Sequence, residues 1–228
     1  MLVREGDEVK VGTKLFEDKK NEGIFFTSSA GGEIKSINRG DKRKFLSVEI
    51  EISQNEQYIE YEFDDSIDST KNNLISSGLW NAFRTRPFNR TPAINDKPNA
   101  IFINCCDTNP LSADPLNIIN FDKDYFDDGL KLITKLFDCN IHLCYQSDDF
   151  ECTNPQITYH QFCGPHPSGL SSTHISNIYP VNLERIVWTI GYQDIISIGY
   201  LFANNSLRTY KYISLAGPSV YEPSLLKV

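Results

Sequence analysis

The first 53 residues contain short stretches in which apolar and polar side chains alternate. The longest is Phe45–Ile52, which reads Phe-Leu-Ser-Val-Glu-Ile-Glu-Ile. Period-two alternation is typical of β-strands with one buried face, and Gly-Asp pairs at Gly6 and Gly40 are suited to tight turns between strands. The pattern predicts a small all-β module over residues 1–53. The module starts abruptly inside its own sheet, so we expect the sequence to be a fragment of a longer protein.

A polar, acidic stretch over residues 54–68 follows, and it predicts a linker. Beyond it, apolar residues recur at helical spacing, and Asp68, Ser69 and Thr70 are candidate N-caps for a helix. The apolar positions on that helical face are Leu74, Ile75, Gly78, Leu79, Ala82 and Phe83. The spacing predicts one amphipathic helix through all of them.

Strand and helix patterns then alternate to the end of the chain. Ala100–Ile103 is a continuous apolar run, which is typical of a parallel strand covered on both faces. Helical spacing is predicted over 126–137 and 192–202, and further strands are predicted over Asn140–Tyr145, Gln156–Phe162 and Tyr210–Leu215. This order indicates an α/β fold, with a Rossmann-like, mostly parallel sheet domain over residues 69–228.

Charge and hydropathy narrow the classes of function. The chain has 22 Lys+Arg against 30 Asp+Glu, so it offers no basic surface for a phosphate backbone, and nucleic acid is not an expected partner. The longest apolar helical stretch, Ile195–Ala203, is far shorter than the roughly 20 residues that span a bilayer. The first residues lack the basic and apolar regions of a signal peptide. We therefore expect neither a transmembrane helix nor a signal peptide, and a reducing, cytoplasmic setting.

The six cysteines have no Cys-x-x-Cys spacing, so they are expected to be free and mostly buried thiols rather than ligands of a metal or a cluster. One alternative is open. His160, Cys163 and His166 are spaced by three residues and could hold a metal with a distant fourth ligand. Pro165 and Pro167 impose an extended path on that segment, and we expect no metal site there.

The β module resembles one half of a barrel-sandwich hybrid, the fold of lipoyl and biotinyl carrier domains. Val3–Phe16 and Ser29–Ile34 carry the resemblance. Carriers of this kind bear a modified lysine on a hairpin tip, and Lys19 and Lys20 lie at a similar place. The hairpin continues through residues 21–23 and is longer than carriers use, so solvated surface charge is the favoured interpretation and a modified lysine the alternative.

Four segments of the larger domain together resemble a known family. They are Leu74–Phe88, Asp107–Pro115, Gly164–Ile175 and Val187–Asp194. With the β module, the chain resembles the A subunit of the bacterial sodium-translocating NADH:quinone reductase over its whole length and in order. The resemblance implies a peripheral subunit on the cytoplasmic face of the inner membrane, with integral membrane subunits among its partners. The complex couples NADH oxidation and quinone reduction to sodium export, and FMN, FAD and iron–sulfur centres are expected on other subunits.

The same resemblance extends to the C subunit of the Rnf complex and to the flavin-carrying subunit of complex I. Those relatives bind FMN and NADH through a Gly-rich loop after the first helix, where backbone N–H groups approach the phosphates closely. Here that place is held by Arg84–Phe88, which contains no glycine. We therefore expect that this chain binds no cofactor of its own.

Candidate ligand contacts follow from the loop Gly164–Gly169, which joins a strand to a helix where open α/β sheets bind ligands. An imidazole or guanidinium can donate a hydrogen bond to a quinone carbonyl. The candidates for quinone or ligand contact are Arg84, Arg86, Phe88, His166, Gly169 and His174. Ordinary loop histidines and surface ion pairs are the alternative interpretation. At the level of function, the alternative is a degenerate nucleotide-binding scaffold with a purely structural role, and no spacing supports a catalytic residue.

Overall fold

The computed structural model describes residues 1–64 and 66–228. Asp65, within the predicted linker 54–68, lies outside the described residues. The β module contains β1 (Glu8–Val9), β2 (Lys14–Glu17), β3 (Phe25–Thr27), β4 (Gly32–Arg39) and β5 (Phe45–Ile52). An antiparallel sheet has the order β1-β4-β5, and β2 pairs with β3 in a hairpin. The predicted all-β module is confirmed.

The α/β domain is built on a five-stranded sheet. Its strands are β6 (Arg84–Arg86), β7 (Ala100–Cys105), β8 (Asn140–Tyr145), β9 (Ile157–Gln161) and β10 (Val187–Gly191), in the order β6-β10-β7-β8-β9. All neighbours are parallel except β6, which runs antiparallel to β10. The predicted α/β class with a mostly parallel sheet is confirmed.

The described ranges of the chain contain five α-helices. They are α1 (Ile67–Ser76), α2 (Pro115–Phe121), α3 (Lys123–Leu136), α4 (Ser171–Ile178) and α5 (Tyr192–Asn204). Helices α3 and α5 pack together over the face that carries Ile101 and Ile103. Helix α4 covers the opposite face, where Ile175 packs on Phe102. Strand residues alternate between faces, so the continuous apolar run of β7 is explained by helices on both sides.

The first predicted helix is shorter in the structure than the apolar spacing predicted, so its predicted extent is wrong. Helix α1 ends at Ser76 because Gly78 adopts a left-handed conformation (φ 82°), and Leu79–Ala82 forms a separate 3-10 turn. The cap was also misassigned: the hydroxyl of Ser66 accepts a hydrogen bond from the Ser69 N–H at 3.0 Å. The apolar spacing continued across the break because the side chains of the 3-10 turn pack into the same core.

The last predicted strand is present but does not join the main sheet. It forms β11 (Tyr212–Leu215), which pairs only with β12 (Ser224–Lys227) in a two-stranded antiparallel sheet. None of the helices in the two described ranges is long and apolar enough to cross a membrane.

The two parts of the chain share one hydrophobic core. Ile24 of the β module and Tyr61 of the connection are buried in the same cluster as Trp80. The junction is also polar, because the Thr27 hydroxyl donates to the Ser77 carbonyl at 2.8 Å and the Asn81 amide donates to the Phe25 carbonyl at 2.7 Å. The boundaries at residues 53 and 68 stay predictions.

We expect Gly78→Ala to destabilise the protein more than Gly6→Ala, although both glycines have a positive φ (82° and 89°). A left-handed conformation costs a non-glycine residue about 1–2 kcal/mol at either position. A methyl group at Gly6 would meet nothing within 4 Å, whereas at Gly78 it would lie 2.9 Å from the Thr27 hydroxyl. Urea denaturation should show a loss about 1 kcal/mol larger for Gly78→Ala. Equal losses would show that the contact with Thr27 adapts without cost.

Candidate functional site

A crevice opens at the carboxyl ends of β7 and β10, where the chain order of the sheet reverses. The connection from β7 leads to β8 on one side, while α4 carries the chain from β9 across the sheet to β10 on the other. Open α/β sheets bind ligands at such points. The crevice has a volume of about 580 Å³. Asn104 of β7 and Gly191 of β10 lie side by side in the sheet and form part of its floor.

The lining combines apolar surface with a few polar groups. Leu79, Ala82 and Ile190 are apolar, and the polar side chains include those of Arg84, Asn104, Tyr192, Asp194, Arg208 and Lys211. Burial raises the pKa of the Tyr192 phenol to about 12. A phenol is a protonated hydrogen-bond donor at neutral pH with or without this shift.

Arg84 differs from the other cations of the crevice. Lys211 pairs with Asp194 at 3.2 Å, and Arg208 pairs with Asp122 at 2.9 Å. The guanidinium of Arg84 donates to the Thr91 hydroxyl at 3.3 Å. Among the lining residues that the structure describes, it is the one cation without a carboxylate partner. It therefore presents an exposed, uncompensated donor at the mouth of the crevice.

Strand β6 separates the three candidates that are adjacent in the sequence. Arg84 lies opposite Thr189 and Arg86 lies opposite Val187, so Arg84 is near the carboxyl end of β10, at the crevice, and Arg86 is near the amino end of β10. Phe88 follows Arg86 and is 56% exposed, with Arg90 over its ring. The structure therefore does not bring Arg86 and Phe88 to the crevice.

The backbone at Arg84–Arg86 is extended, which concerns the expectation that this chain binds no flavin. This segment is a strand paired with β10, and it is not a glycine loop wrapped around a phosphate. Its backbone N–H groups therefore do not converge as a phosphate cradle requires. This strand therefore offers no phosphate cradle, and the absence of a cofactor stays a prediction.

The loop Gly164–Gly169 lies beside the crevice and is anchored to its floor. The side-chain amide of Asn104 donates to the Gly169 carbonyl at 3.1 Å, and the Gly169 N–H donates to the Thr108 hydroxyl at 3.0 Å. His166 is exposed, and its Nδ1 lies 3.3 Å from the same hydroxyl. The contacts place Gly169 as a support for Asn104, while His166 lies on the outer side of the loop.

His174 belongs to α4 and is fully buried on the inner face of that helix, and it does not line the crevice. Its Nε2–H donates to the Ser168 carbonyl at 2.8 Å, and its ring packs on Phe162. Burial lowers the pKa of the imidazole, which favours its neutral form. A structural role for His174, in which its imidazole ties α4 to the loop at Ser168, therefore explains its observed contacts.

His160, Cys163 and His166, the alternative metal ligands, contact three different neighbours and not one another. Nδ1 of His142 lies 3.0 Å from Nε2 of His160, whereas Cys163 contacts the Gln146 carbonyl and His166 contacts Thr108. In residues 1–64 and 66–228, no group of three or more His, Cys, Asp or Glu side chains is arranged to hold a metal ion. The six cysteines are free: Cys105, Cys106 and Cys144 are buried, Cys139 and Cys152 are partly buried, and Cys163 is exposed.

Several residues of the crevice were missed in the sequence, namely Asn104, Tyr192, Asp194, Arg208 and Lys211. For Tyr192 and Asp194, the sequence does contain a signal. The apolar strand Val187–Gly191 runs directly into a predicted helix, and such a strand-to-helix turn marks the ligand side of an α/β sheet. Nothing in the local pattern around Arg208 or Lys211 points to this site.

Comparison with known families agrees with this architecture. A family model described as the NqrA N-terminal barrel-sandwich hybrid domain matches residues 1–53, and one described as the NqrA second alpha/beta domain matches residues 66–207. The chain belongs to the NqrA family. Both parts of the predicted fold, the barrel-sandwich hybrid module and the α/β domain, are confirmed by these matches.

Relatives in the NqrA family are similar over the entire chain. The A subunit of the Na(+)-translocating NADH-quinone reductase of Yersinia pseudotuberculosis is 46% identical over 235 aligned residues, and that of Photorhabdus laumondii is 48% identical over 235. The corresponding protein of Glaesserella parasuis is 47% identical over 239 aligned residues. Each alignment covers 100% of this chain and 53% of the relative. The chain thus spans about half the length of these relatives, and the predicted resemblance to this family is confirmed.

Proposed function

We propose that this chain acts within a Na+-translocating NADH–quinone reductase, as part of its NqrA subunit, and that its crevice contacts the quinone. The subunit is peripheral, at the cytoplasmic face of the membrane, and binds integral membrane subunits of the complex. NADH oxidation, quinone reduction and sodium export belong to the complex as a whole. The names and identities of the relatives support the assignment to the complex.

The chemistry of the crevice supports the quinone contact. A quinone is a flat apolar ring with carbonyl acceptors, so its site needs apolar walls and hydrogen-bond donors. Leu79, Ala82 and Ile190 provide the walls, and the Arg84 guanidinium and Tyr192 phenol provide donors. The uncompensated guanidinium of Arg84 is the single observation that favours this function most. We propose no bound cofactor for this chain; FMN, FAD and iron–sulfur centres are held by other subunits.

Arg84→Gln is expected to weaken the binding of a short-chain quinone about tenfold, because a charged hydrogen bond to the ligand is lost. Isothermal titration calorimetry of the purified chain measures the change. Arg86→Gln is the control, because Arg86 lies on the same strand but near the amino end of β10, outside the crevice, and it should leave the affinity unchanged.

The same titration distinguishes the quinone contact from the alternative function, a purely structural scaffold. If the quinone does not bind, or if both variants weaken binding equally, the crevice is not the quinone contact. A structural scaffold would then be favoured, with Arg84→Gln changing only assembly with partner subunits. A visible flavin absorption band in the purified chain would contradict the proposed absence of a cofactor.

A further inference from the structure

Asn104 is a polar side chain on the floor of the crevice, near the carboxyl end of β7. Two backbone groups fix the orientation of its amide. The Cys106 N–H donates to Oδ1 at 3.0 Å, and Nδ2 donates to the Gly169 carbonyl at 3.1 Å. An N–H can only donate and a carbonyl can only accept, so the two ends of the amide are not interchangeable.

The amide of Asn104 retains one free donor. A side-chain amide nitrogen carries two hydrogens, and in the described ranges Nδ2 makes the bond to Gly169 and no other. Once a ligand has displaced water from the crevice, an N–H without an acceptor costs free energy. A ligand that fills the crevice therefore needs an acceptor at this place.

Arg84 and Asn104 lie on the same face of the sheet. Arg84 is opposite Thr189 of β10, and Thr189 is opposite Phe102 of β7. Residues directly opposite one another in neighbouring strands point to the same face, and so do residues two apart in one strand. Strands β6 and β7 are separated by two strand spacings, about 10 Å. The two donors therefore face the crevice from opposite sides of β10.

The loop that holds Asn104 is seated on Thr108 by a glycine. The Gly169 N–H donates to the Thr108 hydroxyl at 3.0 Å. A methyl group on Gly169 would lie 2.8 Å from both the nitrogen and the hydroxyl oxygen of Thr108, so a residue without a side chain is needed for this close approach. Thr108 does not line the crevice, but its contacts reach Asn104 through Gly169.

We propose, on the basis of the proposed quinone contact, that Asn104 orients the quinone by donating a hydrogen bond to the carbonyl opposite the one that Arg84 binds. A para-quinone has its two carbonyl oxygens at opposite ends of a rigid ring, so donors on opposite sides of the crevice hold it in one orientation. A carbonyl oxygen accepts two hydrogen bonds, so Asn104 and the Tyr192 phenol can act on the same atom. Thr108 and Gly169 are positioning residues, because they hold the amide without touching the ligand.

Isothermal titration calorimetry of the whole chain with tetramethyl-para-benzoquinone tests the role of Asn104. The four methyl groups of this probe block the addition of thiols to its ring. Asn104→Asp keeps the shape and the acceptor for the Cys106 N–H but has no donor, and we expect about tenfold weaker binding. Asn177→Asp is the matched control. It adds the same charge and also loses a bond from an amide to a carbonyl, that of Thr173 at 2.7 Å, on the exposed side of α4, and it should leave the affinity unchanged.

Substitutions of Thr108 test the positioning. Thr108→Val removes the acceptor of the Gly169 N–H with little change in shape, and it should weaken binding of the same probe about threefold. Thr108→Ser keeps the hydroxyl and should bind like the unmodified chain. In the Asn104→Asp background, Thr108→Val should cause no further loss, because it acts through a donor that is already absent.

The results separate the role of Asn104 from the quinone contact itself. If the unmodified chain does not bind the probe, the quinone contact is absent and Asn104 has no such role. If Arg84→Gln weakens binding but Asn104→Asp behaves like Asn177→Asp, the quinone contact stands and the orienting role of Asn104 is refuted. Additive losses from Thr108→Val and Asn104→Asp would refute the positioning through Gly169.

Discussion

Arg208→Met is expected to lower the free energy of unfolding by about 3–5 kcal/mol, because it leaves a carboxylate buried without its partner. The Arg208 side chain is 0% exposed and that of Asp122 is 9% exposed, and their atoms Nη2 and Oδ2 lie 2.9 Å apart. The guanidinium also lies over the Tyr210 ring and donates to the Gln193 carbonyl. Denaturation in urea, followed by circular dichroism, measures the loss.

Lys211→Met is the matched control for this substitution. The ion pair of Lys211 with Asp194 has a similar length, 3.2 Å, but the Lys211 side chain is 62% exposed. Solvent screens such a pair, so its loss should change the stability by about 0.5 kcal/mol or less. In Arg208→Met with Asp122→Leu, both charges are removed and most of the stability should return. A similar small effect of Arg208→Met and Lys211→Met would refute the role of burial.

Gly199→Ala should be the second strongly destabilising change. Gly199 lies where α5 crosses α3, and a methyl group there would be 1.8 Å from the Tyr125 carbonyl oxygen and 2.8 Å from the Gly129 nitrogen. Both are backbone atoms, so the helices themselves must move apart. Overpacking in a core usually costs about 1–3 kcal/mol, and we expect about 3 kcal/mol here because no flexible side chain can give way.

The control for Gly199→Ala is Ala203→Ser, which adds one atom to an exposed position of the same helix. Surface changes of this kind stay within about 0.5 kcal/mol. Urea denaturation of both variants gives the comparison, and near-ultraviolet circular dichroism reports whether the aromatic core of the α/β domain is loosened. A normal stability for Gly199→Ala would mean that the two helices are not held as closely as the structure has them.

The central elements of the fold could be predicted because burial on both sides imposes its pattern directly on the sequence. Ile101 and Ile103 face one helical layer and Phe102 the other, so β7 is apolar throughout. The end of α1 could not be predicted from apolar spacing, because Leu79 still packs against the core after the chain has turned at Gly78. The left-handed φ of Gly78 ends the helix although the apolar periodicity continues beyond it.

The candidate site could be predicted only in part. The sequence identifies Arg84 and Arg86 as a pair, but the pairing of β6 with β10 decides which of them lies at the crevice, and that contact joins residues about a hundred positions apart. The burial of His174 depends in the same way on how α4 packs. Arg208 reaches the crevice through tertiary contacts alone, with Asp122 and Gln193.

The connection between the two parts of the chain is hydrogen-bonded to both of them. Val11 exchanges backbone hydrogen bonds with Gln57 and Ile59, each at 2.8 Å, and the Tyr61 N–H donates to the Asn205 carbonyl at 2.9 Å. The segment thus belongs to both folds, and we expect the two parts to melt in one cooperative transition. A module transplanted between relatives would need to carry residues 54–64 with it, because without them Val11 loses its partners and the shared core opens to water.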